Sequence, residues 1–130
     1  MRKWFITSIA CLTTMLIFPS AGEAWLLDLR ISCQDDYQRL VLGATGATTD
    51  GYDIGADTEA ALMGSLKAYF DHLEWNRTSS YYWTDIRDIS FPKEWVFYVV
   101  SSYVNYQITL KWDISDIPAT FVQNQRIIKY

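Results

Sequence analysis

Four carboxylates, Asp50, Asp53, Asp57 and Glu59, stand close together in a stretch punctuated by Gly46, Gly51 and Gly55. Hard oxygen donors on a glycine-rich loop are the ligand type Ca²⁺ takes. Asp50, Asp53 and Asp57 are therefore the candidate metal ligands, and Ca²⁺ is the one cofactor the residues suggest. Their spacing lacks the alternate carboxylates and terminal Glu of an EF-hand loop. The competing reading is that these side chains cap turns of their own loop, with Asp57 capping a helix that follows. A second constellation is aromatic. Trp75, Tyr81, Tyr82 and Trp83 carry flat rings that can stack on the apolar faces of sugars or anchor a protein interface. Trp75, Tyr82 and Trp83 are the candidate ligand-binding residues, against which strand alternation would put Tyr81 and Trp83 on the core side and leave only Tyr82 outside. The competing reading is strand filler.

Nucleophilic chemistry has little to work with. His72 is the only histidine, so any Ser-His-Asp or Cys-His arrangement must use it, with Cys33 or a carboxylate as its companion. No nucleophile elbow, zinc motif or phosphate loop is present, and no residue is assigned a catalytic role. Asp85 with Arg87, or Arg87 with Asp113, reads as a surface ion pair worth about 0–1 kcal/mol.

The elements that must position these residues read mostly as strands. Leu27, Leu29 and Ile31 alternate with Asp28, Arg30 and Ser32, and Arg39 to Leu42 give a short second strand. Tyr81 to Asp88 read as another. Trp95 to Val100 form a continuous β-branched and aromatic run, the pattern of a central strand. Val104 to Trp112 hold period two without a break. Ser101 to Tyr103 would join these last two as a hairpin, and Ile127 and Ile128 belong to a final strand. Leu62, Leu66, Tyr69, Phe70 and Leu73 share a face at helical spacing, which leaves room for one short helix near residues 58–66.

Outside this body, Arg2 and Lys3 precede an apolar run from Trp4 to Phe18, followed by Pro19, Ser20, Ala21, Gly22, Glu23 and Ala24. That is the three-part layout of a secretory signal peptide over residues 1–24. The run is about 15 residues, short of the roughly 20 that span a bilayer. The expectation is an exported single domain over residues 25–130, secreted, periplasmic or at the cell surface, with no membrane span after cleavage. The chain has a formal net charge of −4 and no basic stripe, which argues against nucleic acid. Cys33 is the only cysteine after Ala24, so the domain has no internal disulfide. Its core must come from large side chains, and five of the six tryptophans follow Ala24.

Taken in order, TTDGYDIGAD (Thr48 to Asp57), AYFDHLEWN (Ala68 to Asn76), TDIRD (Thr84 to Asp88), EWVFYV (Glu94 to Val99) and ITLKWDISDIP (Ile108 to Pro118) resemble a β-sandwich domain of unknown function from secreted bacterial proteins. That domain carries the motifs "ATDGYD…D", "YFPHPEW", "TDIR" and "W-x-F-x-V…V-x-L-x-W-D". The resemblance implies an all-β, Ig-like or jelly-roll-type antiparallel sandwich and an extracytoplasmic address; it brings no activity, ligand or catalytic residue. Two departures stand out. Thr58 to Leu62 replace prolines, and the similar domains continue with further strands beyond the "W-D…P" stretch. A sandwich lacking those strands exposes an edge able to pair with another chain. The functional expectation is a non-catalytic module for binding, adhesion or cell-surface assembly, with a cell-surface protein or glycan as partner. The alternatives are a small secreted hydrolase using His72 and a truncated remnant of a larger secreted protein.

Overall fold

The computed structural model describes the backbone of residues 2–6, 10–18, 24–90, 93–113 and 122–129, with side chains for 24–90 and 93–113. It is an all-β sandwich of two five-stranded sheets. In chain order the strands are β1 (Arg2–Ile6), β2 (Ala10–Phe18), β3 (Trp25–Cys33), β4 (Asp36–Ala44), β5 (Leu66–Asp71), β6 (Tyr81–Tyr82), β7 (Thr84–Arg87), β8 (Lys93–Ser101), β9 (Ile108–Trp112) and β10 (Val122–Lys129). One sheet runs β1-β9-β3-β4-β7 and the other β10-β2-β8-β5-β6.

The alternation in the sequence explains the layers. Leu27, Leu29 and Ile31 on β3, Leu40 and Leu42 on β4, and Leu110 on β9 face Phe70 on β5 and Trp95, Phe97 and Val99 on β8 across a dry interior. Successive strand residues point to opposite faces, so these positions are buried while Arg30, Arg39 and Glu94 stay in solvent. Rings fix the centre: Trp25 meets Trp95 edge-on at 5.4 Å, and Phe70 meets Phe97 edge-on at 6.2 Å. Gly43 is required where β3 and β4 pair, because a Cβ there would lie 2.3 Å from the Trp25 carbonyl oxygen.

Several expectations are corrected. The pairing is not wholly antiparallel, since β4 and β7 run parallel, with Val41 opposite Thr84 and Gly43 opposite Ile86. No hairpin joins Trp95–Val100 to Val104–Trp112: β8 and β9 lie in different sheets. The second strand begins only at Ile108, and Val104 and Tyr106 are exposed around Asn105, whose φ is 65°. No helix forms near residues 58–66. The backbone there is drawn to β6 instead, with Ala60 N–H donating to Tyr81 O at 2.9 Å and Trp83 N–H to Thr58 O at 2.8 Å. Gly64 at φ 83° then turns the chain into β5. The one helical feature between β5 and β6 is a single 3₁₀ turn, Leu73–Trp75. The strand expected over Tyr81–Asp88 divides at Trp83, its first part in one sheet and its second in the other.

The segments expected to form an export leader are strands here. β1 pairs antiparallel with β9, and β2 lies between β8 and β10. Phe91 and Pro92, and Ile114 to Pro118 at the end of the last resembling motif, lie outside the described residues.

Candidate functional site

Three groups of side chains are candidates, and they occupy different parts of the molecule. The first is centred on Asp85. Its carboxylate is wholly buried and accepts from His72 Nε2 at 2.9 Å, Arg87 Nε at 2.9 Å and Arg87 Nη2 at 2.8 Å. His72 follows β5 in one sheet and Asp85 lies on β7 in the other, so the contact spans the layers. The second ring nitrogen of His72 meets exposed Glu74 at 2.5 Å. Trp75 stacks on the imidazole with centroids 3.8 Å apart. Burial works against the charged imidazole. The hydrogen bond and charge of Asp85, with a smaller part from Glu74, outweigh it and raise the His72 pKa. Burial likewise opposes ionisation of Asp85, but His72 and Arg87 bring its pKa below the ordinary value. The expected surface ion pair of Asp85 and Arg87 is thus a buried network. Arg87 also donates to Glu94 O and lies over the Trp95 ring.

Cys33 takes no part in it. The thiol lies near Ser101 Oγ at 3.9 Å, and Ser101 pairs with Leu66 at the start of β5. His72 is one residue beyond the end of β5, so the two ends are roughly 20 Å apart at about 3.3 Å per residue. A Cys33–His72 dyad is not formed, and both imidazole nitrogens already face carboxylates.

The second group is the acidic loop between β4 and β5. Asp50 pairs with Lys93 Nζ, which also reaches Asp88 Oδ1 at 2.7 Å. Asp53 accepts from Thr49 N–H at 2.7 Å. Asp57 accepts from Asp53 N–H at 2.7 Å and Ile86 N–H at 3.0 Å. Each carboxylate candidate is committed to a separate protein donor. Among the described residues no three His, Cys, Asp or Glu side chains converge as a metal-holding group. The loop also covers the outer edge of β7. Asp57 takes the Ile86 amide and Thr84 Oγ1 donates to Ala56 O, while on the β4 side Thr45 N–H and Thr48 Oγ1 both donate to Arg87 O.

The third group is the aromatic one, and it separates. Tyr82 is fully buried and Tyr81 is exposed, the reverse of the expected phase. Its outside placement is corrected because β6 is the edge strand that pairs with Phe70 and Asp71 of β5, which turns Tyr82 into the core. Trp75 packs edge-on against Tyr82 at 4.7 Å as a cover on that core. Trp83, where the chain crosses between sheets, is half-buried and packs partly against the core. With Tyr37, Gln38, Arg39, Val41, Thr58 and Thr84 it lines a depression of about 470 Å³ on the outer face of β4 and β7. Tyr37 is 55 % exposed, and Arg39 is held by Asp28 through Nε to Oδ2 at 2.8 Å. Val41 and Thr84 also border a second depression of about 630 Å³ that includes Leu26, Ile54 and Ile86. Tyr37 and Arg39 were not singled out from sequence. The signal was available in their alternation with buried Leu40 and Leu42, which sends them outward with Val41. A separate tyrosine row crosses the other sheet's outer face, with Tyr69 stacked on Tyr98 at 5.5 Å and edge-on to Tyr81 at 4.8 Å.

Comparison with known proteins finds no matching family model, no matching curated protein and no matching solved structure.

Proposed function

We propose that the chain is an exported, non-catalytic β-sandwich module that binds a cell-surface glycan on the outer face of β4 and β7. The observation that carries this reading is the concavity in which Trp83 and Tyr37 supply aromatic surface beside the polar groups of Gln38, Arg39, Thr58 and Thr84. Sugars offer apolar C–H faces and a rim of hydroxyls. A site of a few aromatic surfaces among fixed hydrogen-bonding groups meets both demands. The export part rests on the layout of residues 1–24 as a leader.

A glycan array followed by calorimetry on the best hit tests the reading. Trp83→Ala and Tyr37→Ala are each expected to weaken binding by about tenfold or more, the loss that accompanies removal of an aromatic anchor, with an unchanged circular dichroism spectrum. Tyr81→Ala, on the opposite sheet, is expected to bind as the parent does. An array without hits removes the glycan reading, and a loss that follows Tyr81 instead of Trp83 moves the site to the tyrosine row.

A further inference from the structure

Residues directly opposite on paired strands project on the same face of a sheet. Across β9, β3 and β4 the register sets Lys111 opposite Arg30, and Arg30 opposite Arg39. Burial agrees that this is the outer face. Arg30 and Arg39 are exposed and Lys111 is half-buried, while Leu110, Leu29, Ile31 and Leu40 beside them are buried. Three cations therefore stand abreast, in a row about 10 Å wide at the usual strand spacing of about 4.8 Å. Positions 30, 39 and 111 are far apart in the chain, so the row leaves no basic run in the sequence. Like charges directly opposite one another destabilise a sheet, and here they gather in a chain whose formal net charge is −4. Asp28 offsets one of them, holding Arg39 through Nε to Oδ2 at 2.8 Å. Among the described residues no carboxylate pairs with Arg30 or Lys111. Arg39 also lines the depression that holds Trp83 and Tyr37, so the row runs into that depression from the β9 side.

We infer that the glycan is acidic, with its sugar rings against Trp83 and Tyr37 and its anionic groups along Arg39, Arg30 and Lys111. The inference rests on the glycan reading above and names the class of sugar. Guanidinium groups hold carboxylates and sulfates through paired N–H donors. An anionic group on successive sugar units engages the whole row, which a single charge does not. The charge that costs the free sheet stability is matched once such a chain lies across it. Nucleic acid has the same sign of charge, but its binding surfaces typically neutralise about 6–10 phosphates. Three cations beside a carboxylate, in an acidic chain, fall short of that. Uronic-acid carboxylates and sulfate esters share the chemistry the row selects, and the probes separate them.

The test is calorimetry on the purified chain with two matched pairs of probes: a galacturonic acid oligomer with its methyl ester, and a dextran sulfate oligomer with unmodified dextran. A single-stranded DNA oligomer is the fifth probe. The expected result is that one acidic glycan binds about tenfold tighter than its uncharged copy, the product of a few exposed ion pairs. Arg30→Gln/Lys111→Gln is expected to lose most of that preference and to bind the uncharged copy as the parent does. Its melting midpoint should lie at or above the parent's, since like charges have been removed, and this excludes unfolding as the cause. Equal binding of the charged and uncharged copies, both weakened by Trp83→Ala, overturns the inference and leaves the glycan reading standing. A preference that survives in the double variant places the anions elsewhere and overturns it. Failure to bind either acidic glycan, or tighter binding of the DNA than of both, overturns it as well. A preference lost in the double variant but untouched by Trp83→Ala keeps the row as the anion site, and it is then the Trp83 depression that fails.

Discussion

Asp85 is a fully buried carboxylate facing one arginine and one histidine, and its value to the fold lies in what would happen without it. A buried pair of opposite charges contributes little net stability over an apolar substitute, but deleting one partner leaves the other charge unmatched in a poorly solvated place. Asp85→Ala would strand Arg87, whose side chain is 18 % exposed, and a buried imidazole. The expected cost is about 3–5 kcal/mol of unfolding free energy, read by urea denaturation. A loss below about 1 kcal/mol would show that the network is wet and unimportant. At this scale the sequence was partly legible. The spacing of Asp85 and Arg87 places them on one strand face, and their pairing was expected. Their depth was not, because period two within one strand does not say which face is inside. The His72 contact was also out of reach, since it joins residues 13 apart in sequence across two sheets.

At the scale of elements, the acidic loop acts as an edge cover. β7 is a four-residue strand at the end of its sheet, and a bare edge there would invite pairing with another chain. The loop supplies the missing partners in place of a strand, with the carboxylate of Asp57 taking the Ile86 amide. Asp57→Ala leaves that buried N–H and the Asp53 N–H without their acceptor. It is expected to cost about 1–3 kcal/mol and to speed hydrogen exchange at Ile86 while β3 amides exchange as before. Unchanged exchange at Ile86 would assign the edge protection to the neighbouring Thr84 contacts with Ala56 and Thr58 alone. The carboxylate cluster was conspicuous in the sequence, but only Asp53 and Asp57 bond within their own loop, to Thr49 N–H and Asp53 N–H, while Asp50 pairs with Lys93 and Asp57 also reaches Ile86. What the sequence did not reveal was the partner strand. The same limit explains the other element-scale differences. Leu27, Leu29 and Ile31 alternate and are buried in alternation, whereas Val104 and Tyr106 alternate and stand in solvent, because periodicity records compatibility with a strand and not the presence of a neighbour. The helical spacing of Leu62, Leu66, Tyr69 and Phe70 lost to the pairing of β5 with β8, which buries Leu66, Ala68 and Phe70 on one face.

At the scale of the whole molecule, the buried network ties the layers together, so its protonation should govern the pH range of the sandwich. His72 has a raised pKa in the folded state, from Asp85 and then Glu74 acting against burial. A raised value means that the folded state holds the proton more tightly than the unfolded chain. The resulting stability is fully present below the unfolded histidine value of about 6.5 and is lost as pH rises through the folded value. Asp85, lowered by His72 and Arg87 against burial, acts in the other direction: its contribution is present above the unfolded value of about 3.9 and fades as pH falls through the folded one. Asp57, raised by burial, shares the sign of His72 at acid pH and so trims the gain from Asp85 there. Together these place the most stable range at mildly acidic pH, bounded by His72 on the alkaline side. The charged groups facing the imidazole are Asp85 and Glu74, and Arg87 acts through its shared carboxylate. Melting midpoints between pH 5 and 9 are therefore expected to decline once pH passes about 6.5. Self-repulsion of an acidic chain, with a formal net charge of −4 at pH 7, also grows with pH, so the parent curve alone does not isolate the histidine. His72→Gln keeps a polar side chain without a titrating proton and separates the two causes. The variant should start lower at pH 5 and lose most of the decline between pH 6.5 and 9, converging on the parent at the alkaline end. Parallel curves for parent and variant would mean that His72 does not carry the alkaline limit.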